Sequence, residues 1–238
     1  MSNFDKNQIP MNYRILFFGF LLFLSCSDEK LVVQKQIADY LADVEADANY
    51  KMISLTEAGK NLKFDIRYAT QNNFTKKVIY PEAAAFARKP VAKALIKAND
   101  SLLSLGYRIK VFDAYRPYQA TVKFYEVYPD TDFVADPKFG SRHNRGCAID
   151  LTLVDAKTGL EIKMPTPYDD FTKKAHPDYA DLPNEIIQNR DLLINTMKHF
   201  GFTVYPSEWW HFDFNGWEKY PLMDFSFEEL REVNSKLN

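Results

Sequence analysis

Apolar positions along this chain recur with two periods, and the places where one period gives way to the other mark its elements. Behind Pro90, a residue suited to a helix's first turn, Val91, Ala94, Leu95, Ala98 and Leu102 fall at helical spacing, and Gly106 supplies a left-handed stop. Ile109 to Ala114 then reads as a strand that delivers Asp113-Ala-Tyr-Arg116-Pro117 to its end, and Pro117 starts a further helix through Val122 and Tyr125. Gly140 and Gly146 bracket a turn at His143. Beyond it, Ala148, Asp150, Thr152 and Val154 share one face of a strand, with Ile149, Leu151 and Leu153 on the other. Asn184-Glu185 caps a helix carrying Ile187, Leu193, Ile194, Met197 and Phe200, closed by Gly201. Phe202 to Tyr205 and Trp209 to Phe214 predict a hairpin around Pro206-Ser207.

Weaker patterns flank these elements. Leu62, Phe64, Ile66 and Tyr68 alternate with polar residues and predict a half-buried strand running into Ala69-Thr-Gln-Asn-Asn-Phe74. Residues 27–50 are polar and charged, with one amphipathic patch at Ile37, Tyr40, Leu41 and Val44, which is the pattern of a tether with a short helix. Asp155 to Pro183 is a long loop rich in Pro and Asp, and loops of that length in a compact domain are usually functional. The order of elements predicts an α+β domain with a small, mainly antiparallel sheet flanked by helices.

The N-terminus follows a different rule. Ile15 to Leu24 is an unbroken apolar run preceded by Arg14 and followed by Ser25-Cys26, the layout of a secretory signal. At about 1.5 Å per residue it covers roughly 15 Å, half of the roughly 30 Å bilayer core, which argues against a spanning helix. Phe23-Leu-Ser-Cys26 resembles a bacterial lipobox, with Phe23 where Leu is usual. That resemblance implies cleavage before Cys26, lipidation of Cys26 as the membrane anchor, and an exported periplasmic or outer-membrane lipoprotein. Met11, followed by Asn12-Tyr-Arg14, offers a more typical start for such a signal. The chain therefore divides into a signal peptide (1–25), a tether (26–50) and a single catalytic domain (51–238).

Composition changes this picture in two respects. Thirty basic and 32 acidic residues give a net charge of -2 without charge runs, so there is no electrostatic basis for a nucleic-acid partner. Aromatic residues make up 15% of the chain, and its Tyr and Trp crowd the regions richest in His, Asp and Glu, as a walled and partly dry pocket requires.

The chemistry concentrates in Ser141-Arg-His143-Asn-Arg-Gly146-Cys-Ala-Ile-Asp150 and Glu208-Trp-Trp-His211. Two imidazoles, an aspartate and a glutamate are the inventory of a three-ligand catalytic zinc site and its proton carrier. His143 and Asp150 are far enough apart for a turn to end and a strand to return the carboxylate beside the imidazole, and Gly146 permits that bend. His211 arrives from another strand, which leaves a fourth metal position open to water. Glu208 and His211 have opposite parity in a pleated strand, so either the strand begins after Glu208 or it is bulged there. His176 and His199 read as bystanders, and Cys147 as packing.

Read together, Ser141, His143, Gly146 and Asp150 with Glu208-Trp-Trp-His211 resemble the VanX-type zinc D-alanyl-D-alanine dipeptidases, within the wider D-Ala-D-Ala metallopeptidase group. Asp65-Ile-Arg-Tyr-Ala-Thr70, Asn73-Phe74, Asp113-Ala-Tyr-Arg-Pro117 and Thr166-Pro-Tyr-Asp169 extend the likeness over residues 50–222. The resemblance implies one zinc per chain held by His143, Asp150 and His211, Glu208 as catalytic acid and base, and Arg116 as the oxyanion-stabilising group. It also implies that Asp113 orients Arg116 and that Ser141 and Asp169 grip the ends of the substrate. The expected reaction is hydrolysis of D-alanyl-D-alanine or a related D,D-dipeptide at the cell envelope. Two rivals are a D,D- or L,D-carboxypeptidase trimming peptidoglycan stems and a non-catalytic cell-wall-binding lipoprotein.

Overall fold

The structure is a computed structural model that describes residues 31–237; the signal segment, Met11 and Cys26 lie outside them. In chain order the first elements are β1 (Val33–Gln34), α1 (Ile37–Ala46), β2 (Met52–Ser54), α2 (Leu55–Ala58) and β3 (Lys63–Phe64). They are followed by β4 (Phe86–Arg88), α3 (Lys89–Leu103), β5 (Tyr107–Asp113), α4 (Tyr118–Val127) and β6 (Ala148–Asp155). The last are α5 (Asn184–His199), β7 (Phe202–Tyr205), β8 (Glu208–Phe214), β9 (Leu222–Met223) and α6 (Phe227–Lys236).

The alternating apolar segments make one five-stranded sheet in the order β3-β5-β6-β8-β7, antiparallel except for the β3–β5 edge. Helix α3 lies against β5, α5 lies against β7, and the two helices touch. Leu95, Leu102, Leu193 and Met197 from these helices are fully buried, as are Ile149, Leu151 and Leu153 of β6. Burying each such side chain contributes about 1.5–3 kcal/mol, so this layer anchors the sheet. The opposite face of β6 carries Asp150 and Thr152, also buried, and this is the face the site occupies.

Register places the chemistry. Asp150 pairs with Asp113 of β5 on one side and with His211 of β8 on the other. A register shift between Val111 and Asp113 brings the latter into that row. Three candidate site residues thus lie abreast on adjacent strands, where cross-strand neighbours stand about 4.5–5.5 Å apart.

The structure departs from the sequence pattern in several places. The expected strand over Leu62–Tyr68 is a strand only at Lys63–Phe64, after which the chain tightens into a short turn at Arg67–Ala69. Leu62, Ile66 and Tyr68 are nonetheless buried, so the alternation reported burial and not extension. From residue 31 onward the expected tether is part of the fold. Val33 and Gln34 pair in parallel with β9, and Tyr40 of α1 is fully buried, accepting a hydrogen bond from the Met52 amide at 2.9 Å. Asn184 is the first helical residue of α5 and not its cap, and Pro117 precedes α4 and does not start it. The β2–β4 pair, β9 and α6 are additional to the expected elements, and α6 begins with a Ser226–Glu229 capping box. Among the described residues no helix is long and apolar enough to cross a membrane.

Candidate active site

Two hydrogen-bonded loops and one strand pair build the site. The Arg116 amide donates to the His143 carbonyl at 3.2 Å, and the buried Asn144 side chain donates to the Arg116 carbonyl and the Thr121 hydroxyl, both at 2.9 Å. The Ser141 amide donates to Asn144 Oδ1 at 2.7 Å, while Ser141 Oγ accepts from the His143 amide at 3.2 Å. Gly146 closes this turn at φ +71°, and a Cβ there would lie 2.7 Å from Cε of Met52. Its handedness therefore favours glycine, and an added Cβ would also press on the end of the Met52 side chain.

The side chains of His143, Asp150 and His211 converge on one point. His143 Nε2 lies 3.2 Å from His211 Nδ1 and 3.3 Å from Asp150 Oδ1, and His211 Nδ1 lies 3.0 Å from Asp150 Oδ1. Ligands about 2.0–2.1 Å from a tetrahedral ion stand about 3.3 Å from one another, so this triangle has the size of a zinc-binding face. Asp150 Oδ1 is buried without a hydrogen-bond donor, an orphan that a cation would satisfy. The surrounding contacts aim the lone pairs. His143 Nδ1 is 2.6 Å from the Ala114 carbonyl, an acceptor that requires the proton on Nδ1 and leaves Nε2 bare. His211 Nε2 is 3.0 Å from Asp213 Oδ1, which likewise leaves Nδ1 bare. The Tyr168 hydroxyl donates to Asp150 Oδ2 at 2.8 Å.

The electrostatics also call for a cation. Burial alone would raise the pKa of Asp150, yet the imidazoles of His143 and His211 hold it well below the usual carboxylate range. Burial opposes a charge on His211, but the Asp213 and Asp150 carboxylates raise its pKa well above the ordinary imidazole value. Where carboxylates outweigh solvent loss so strongly, the protein draws in either a proton or a metal.

Glu208 opens β8 at a register irregularity opposite Tyr205, which resolves the parity conflict with His211. Its Oε2 sits 3.7 Å from His211 Nδ1. Burial pushes its carboxyl up to about 8; Asp150 and Asp169 add to this, while His211 and Arg116 oppose it. Arg116 is buried, its Nε and Nη2 donating to Asp113 Oδ2 at 3.1 and 2.9 Å. Asp113 Oδ1 accepts from Tyr80 at 2.9 Å, so it stands behind Arg116 and not on the wall of the cleft. The guanidinium lies 4.6 Å from the centre of the Phe124 ring.

A cleft of about 430 Å³ joins these groups, lined among others by Ser141, Asp150, Asp169, Arg116 and Glu208. Asp169, half-buried in the long loop, adopts φ +62° and accepts from the Tyr68 hydroxyl at 3.0 Å and the Phe74 amide at 3.2 Å. Loss of solvent and the Asp150 charge push its carboxyl up to about 7. Phe133 of the loop before Gly140 stacks on Phe171 of the long loop at 5.0 Å, so the two loops meet at the wall of the cleft. His199 packs edge-on against Phe200, and neither it nor His176 joins the metal cluster.

Sequence reasoning did not single out Tyr68, Tyr168, Asn144 or Asp213 as individual functional residues. The first three lie inside motifs already quoted. Asp213, two residues after His211, shares its strand face, a parity signal that could have found it.

The model of the D-ala-D-ala dipeptidase family matches residues 48–228. The D-alanyl-D-alanine dipeptidase of Escherichia coli (strain K12) is 34% identical over 177 residues, covering 74% of this chain and 91% of the relative. That of Enterococcus faecium is 31% identical over 196 residues, covering 73% and 95%. A solved vancomycin-resistance D,D-dipeptidase, VanXYg, in complex with a D-Ala-D-Ala phosphinate analogue, is more distant, with 20% identity, 76% and 74% coverage and a TM-score of 0.36. With three quarters of its length matched, and these relatives covered nearly end to end, the chain belongs to the D-Ala-D-Ala dipeptidase family of metallopeptidases.

Proposed function

We propose that this protein hydrolyses D-alanyl-D-alanine, or a closely related D,D-dipeptide, using one zinc ion held by His143, Asp150 and His211. The observation that carries the reading is the ligand triangle, 3.0–3.3 Å on each side, with Glu208 and Arg116 facing the same cleft. When bound, zinc supplies Lewis acidity toward a carbonyl and makes a water molecule acidic near pH 7.

The chain's own residues do the rest. Glu208 takes a proton from the attacking water on a carboxylate oxygen and passes it to the departing amide nitrogen, a role worth roughly 10²–10⁴ in rate. Asp113 occupies Nε and Nη2 of Arg116, fixing the guanidinium so that its remaining Nη1 edge can meet the developing oxyanion, a contact worth about 10²–10³. Asp169 offers a carboxylate to the substrate ammonium, and the Ser141 hydroxyl retains a proton to donate while Oγ accepts from His143. The Phe133–Phe171 contact narrows the cleft wall, which supports a small, free dipeptide over a carboxypeptidase substrate, whose stem must leave the cleft.

The protein acts, in this reading, as an exported lipoprotein anchored through Cys26. The support is the apolar run 15–24 and the Phe23-Leu-Ser-Cys26 segment. Labelled palmitate should enter the wild-type protein and not the Cys26→Ser variant.

Incubation of the zinc-loaded protein with D-Ala-D-Ala, L-Ala-L-Ala and a stem pentapeptide tests the substrate assignment. Release of D-Ala from the D,D-dipeptide alone is expected. Cleavage of the pentapeptide with the dipeptide left intact would overturn it in favour of a carboxypeptidase.

A further inference from the structure

His211 sits in a closed frame that the proposed catalytic roles do not use. Its Nε2 meets Asp213 Oδ1 at 3.0 Å, and the other oxygen of that carboxylate, Oδ2, meets Arg142 Nη1 at 3.2 Å. The Arg142 guanidinium lies between two rings, 5.4 Å from the centre of Tyr205 and 4.8 Å from that of Trp217. Tyr205 in turn packs on the His211 ring at 5.2 Å. Asp213 is buried, and its backbone is paired to Ala148 on one side and Thr203 on the other, so its side chain starts from a fixed position.

We propose that Asp213 is a positioning residue for the metal. It holds His211 in the tautomer that leaves Nδ1 bare, and Arg142 enforces this by claiming the carboxylate's second oxygen. The inference rests on the zinc reading above. Its logic is donor counting. Two donors, the His211 Nε2–H and the Arg142 guanidinium, meet different oxygens of one side chain, and only a carboxylate offers an acceptor oxygen at both places. An asparagine there has an acceptor oxygen at one of the two places and a donor NH2 at the other. If Arg142 takes the oxygen, the amide nitrogen donates to Nε2, the imidazole proton moves to Nδ1, and the metal position is blocked. With Arg142 removed, the asparagine can turn its oxygen to His211 and the conflict disappears.

The test is zinc affinity by competition with a chromophoric chelator, measured for Asp213→Asn in the wild-type and in the Arg142→Ala background. In the wild-type background the substitution should weaken binding 10–100-fold, the range typical for partners of metal-bound histidines. In the Arg142→Ala background the loss should be at least fivefold smaller. A loss under threefold in the wild-type background, or a loss that shrinks less than fivefold when Arg142 is absent, would overturn the proposal. A merely structural Asp213 would give the same loss in both backgrounds.

A second measurement needs no variant. With four histidines in the chain, nitrogen-15 histidine labelling resolves each ring. The zinc-loaded wild-type protein should show a slowly exchanging Nε2–H on His211, and exchange as fast as that of an exposed imidazole would sink the idea. Wild-type protein that binds no zinc would instead remove the metal reading itself.

Discussion

Replacing Asp169 by Asn should stabilise the metal-free protein, and more at pH 8 than at pH 5. In the fold this carboxyl is carried from its ordinary 3.8 to about 7 by loss of solvent and by the Asp150 charge. A group whose pKa is raised on folding costs nothing below its unfolded pKa, and its penalty is complete above the folded one. At about 1.4 kcal/mol per tenfold change in proton affinity, the full penalty approaches about 4 kcal/mol. The part that develops between pH 5 and 8 is about 2.5 kcal/mol, and the half-open position of Asp169 reduces it to about 1–2 kcal/mol by solvent screening. Asparagine tolerates the left-handed backbone at this position almost as well as aspartate. Its oxygen can accept from the Phe74 amide while its nitrogen donates to the Tyr68 hydroxyl, which then donates toward Tyr168, 3.2 Å away. In thermal unfolding of the metal-free proteins, the advantage of Asp169→Asn should be about 2–8 °C larger at pH 8 than at pH 5, taking 2–4 °C per kcal/mol for a domain of this size. An advantage that does not grow with pH, or a variant less stable at pH 8, would refute the assignment of a costly buried charge. The same variant should raise KM for D-Ala-D-Ala, because the charge held against the ammonium is gone.

Other consequences can be checked separately. Tyr168→Phe removes the donor to Asp150 Oδ2 and should weaken zinc binding about 10-fold, the scale of a lost hydrogen bond to a charged ligand, as read by chelator competition. Cys147 is fully buried with its thiol pushed up to about 12 by burial, so a thiol reagent at pH 8 should label it only after unfolding. Gly146→Ala forces a Cβ toward Met52 at a left-handed position and should lower the melting temperature by several degrees, a cost of about 1–3 kcal/mol.

What the chain disclosed in advance depended on whether a signal was local. The period-two pattern of β6 put Asp150 on the face opposite Ile149, Leu151 and Leu153, and the paired strands keep that arrangement. The conflict between Glu208 and His211 announced an irregularity in β8, and one is present. Register was not legible. Nothing in the sequence says that Asp113, Asp150 and His211 stand abreast, because that row depends on a shift in β5 and on which strands are neighbours. The segment over residues 33–50 misled for a related reason. Its polar composition looks like a tether, but Tyr40 is buried in the core with Ile37, Leu41 and Val44 packed against it, and β1 gains its partner from residues nearly two hundred positions later. The partners that orient the candidate metal ligands, the Ala114 carbonyl and the Tyr168 hydroxyl, come from loops whose paths only the tertiary structure fixes.

The most direct test of the central claim combines zinc content with turnover of D-Ala-D-Ala in two single-residue variants. Glu208→Ala should retain one zinc per chain and lose at least 100-fold in kcat, since it removes the proton carrier and leaves the ligands in place. His211→Ala should lose both the metal and the activity. A Glu208→Ala protein that turns over normally, or a His211→Ala protein that keeps its zinc, would contradict the account.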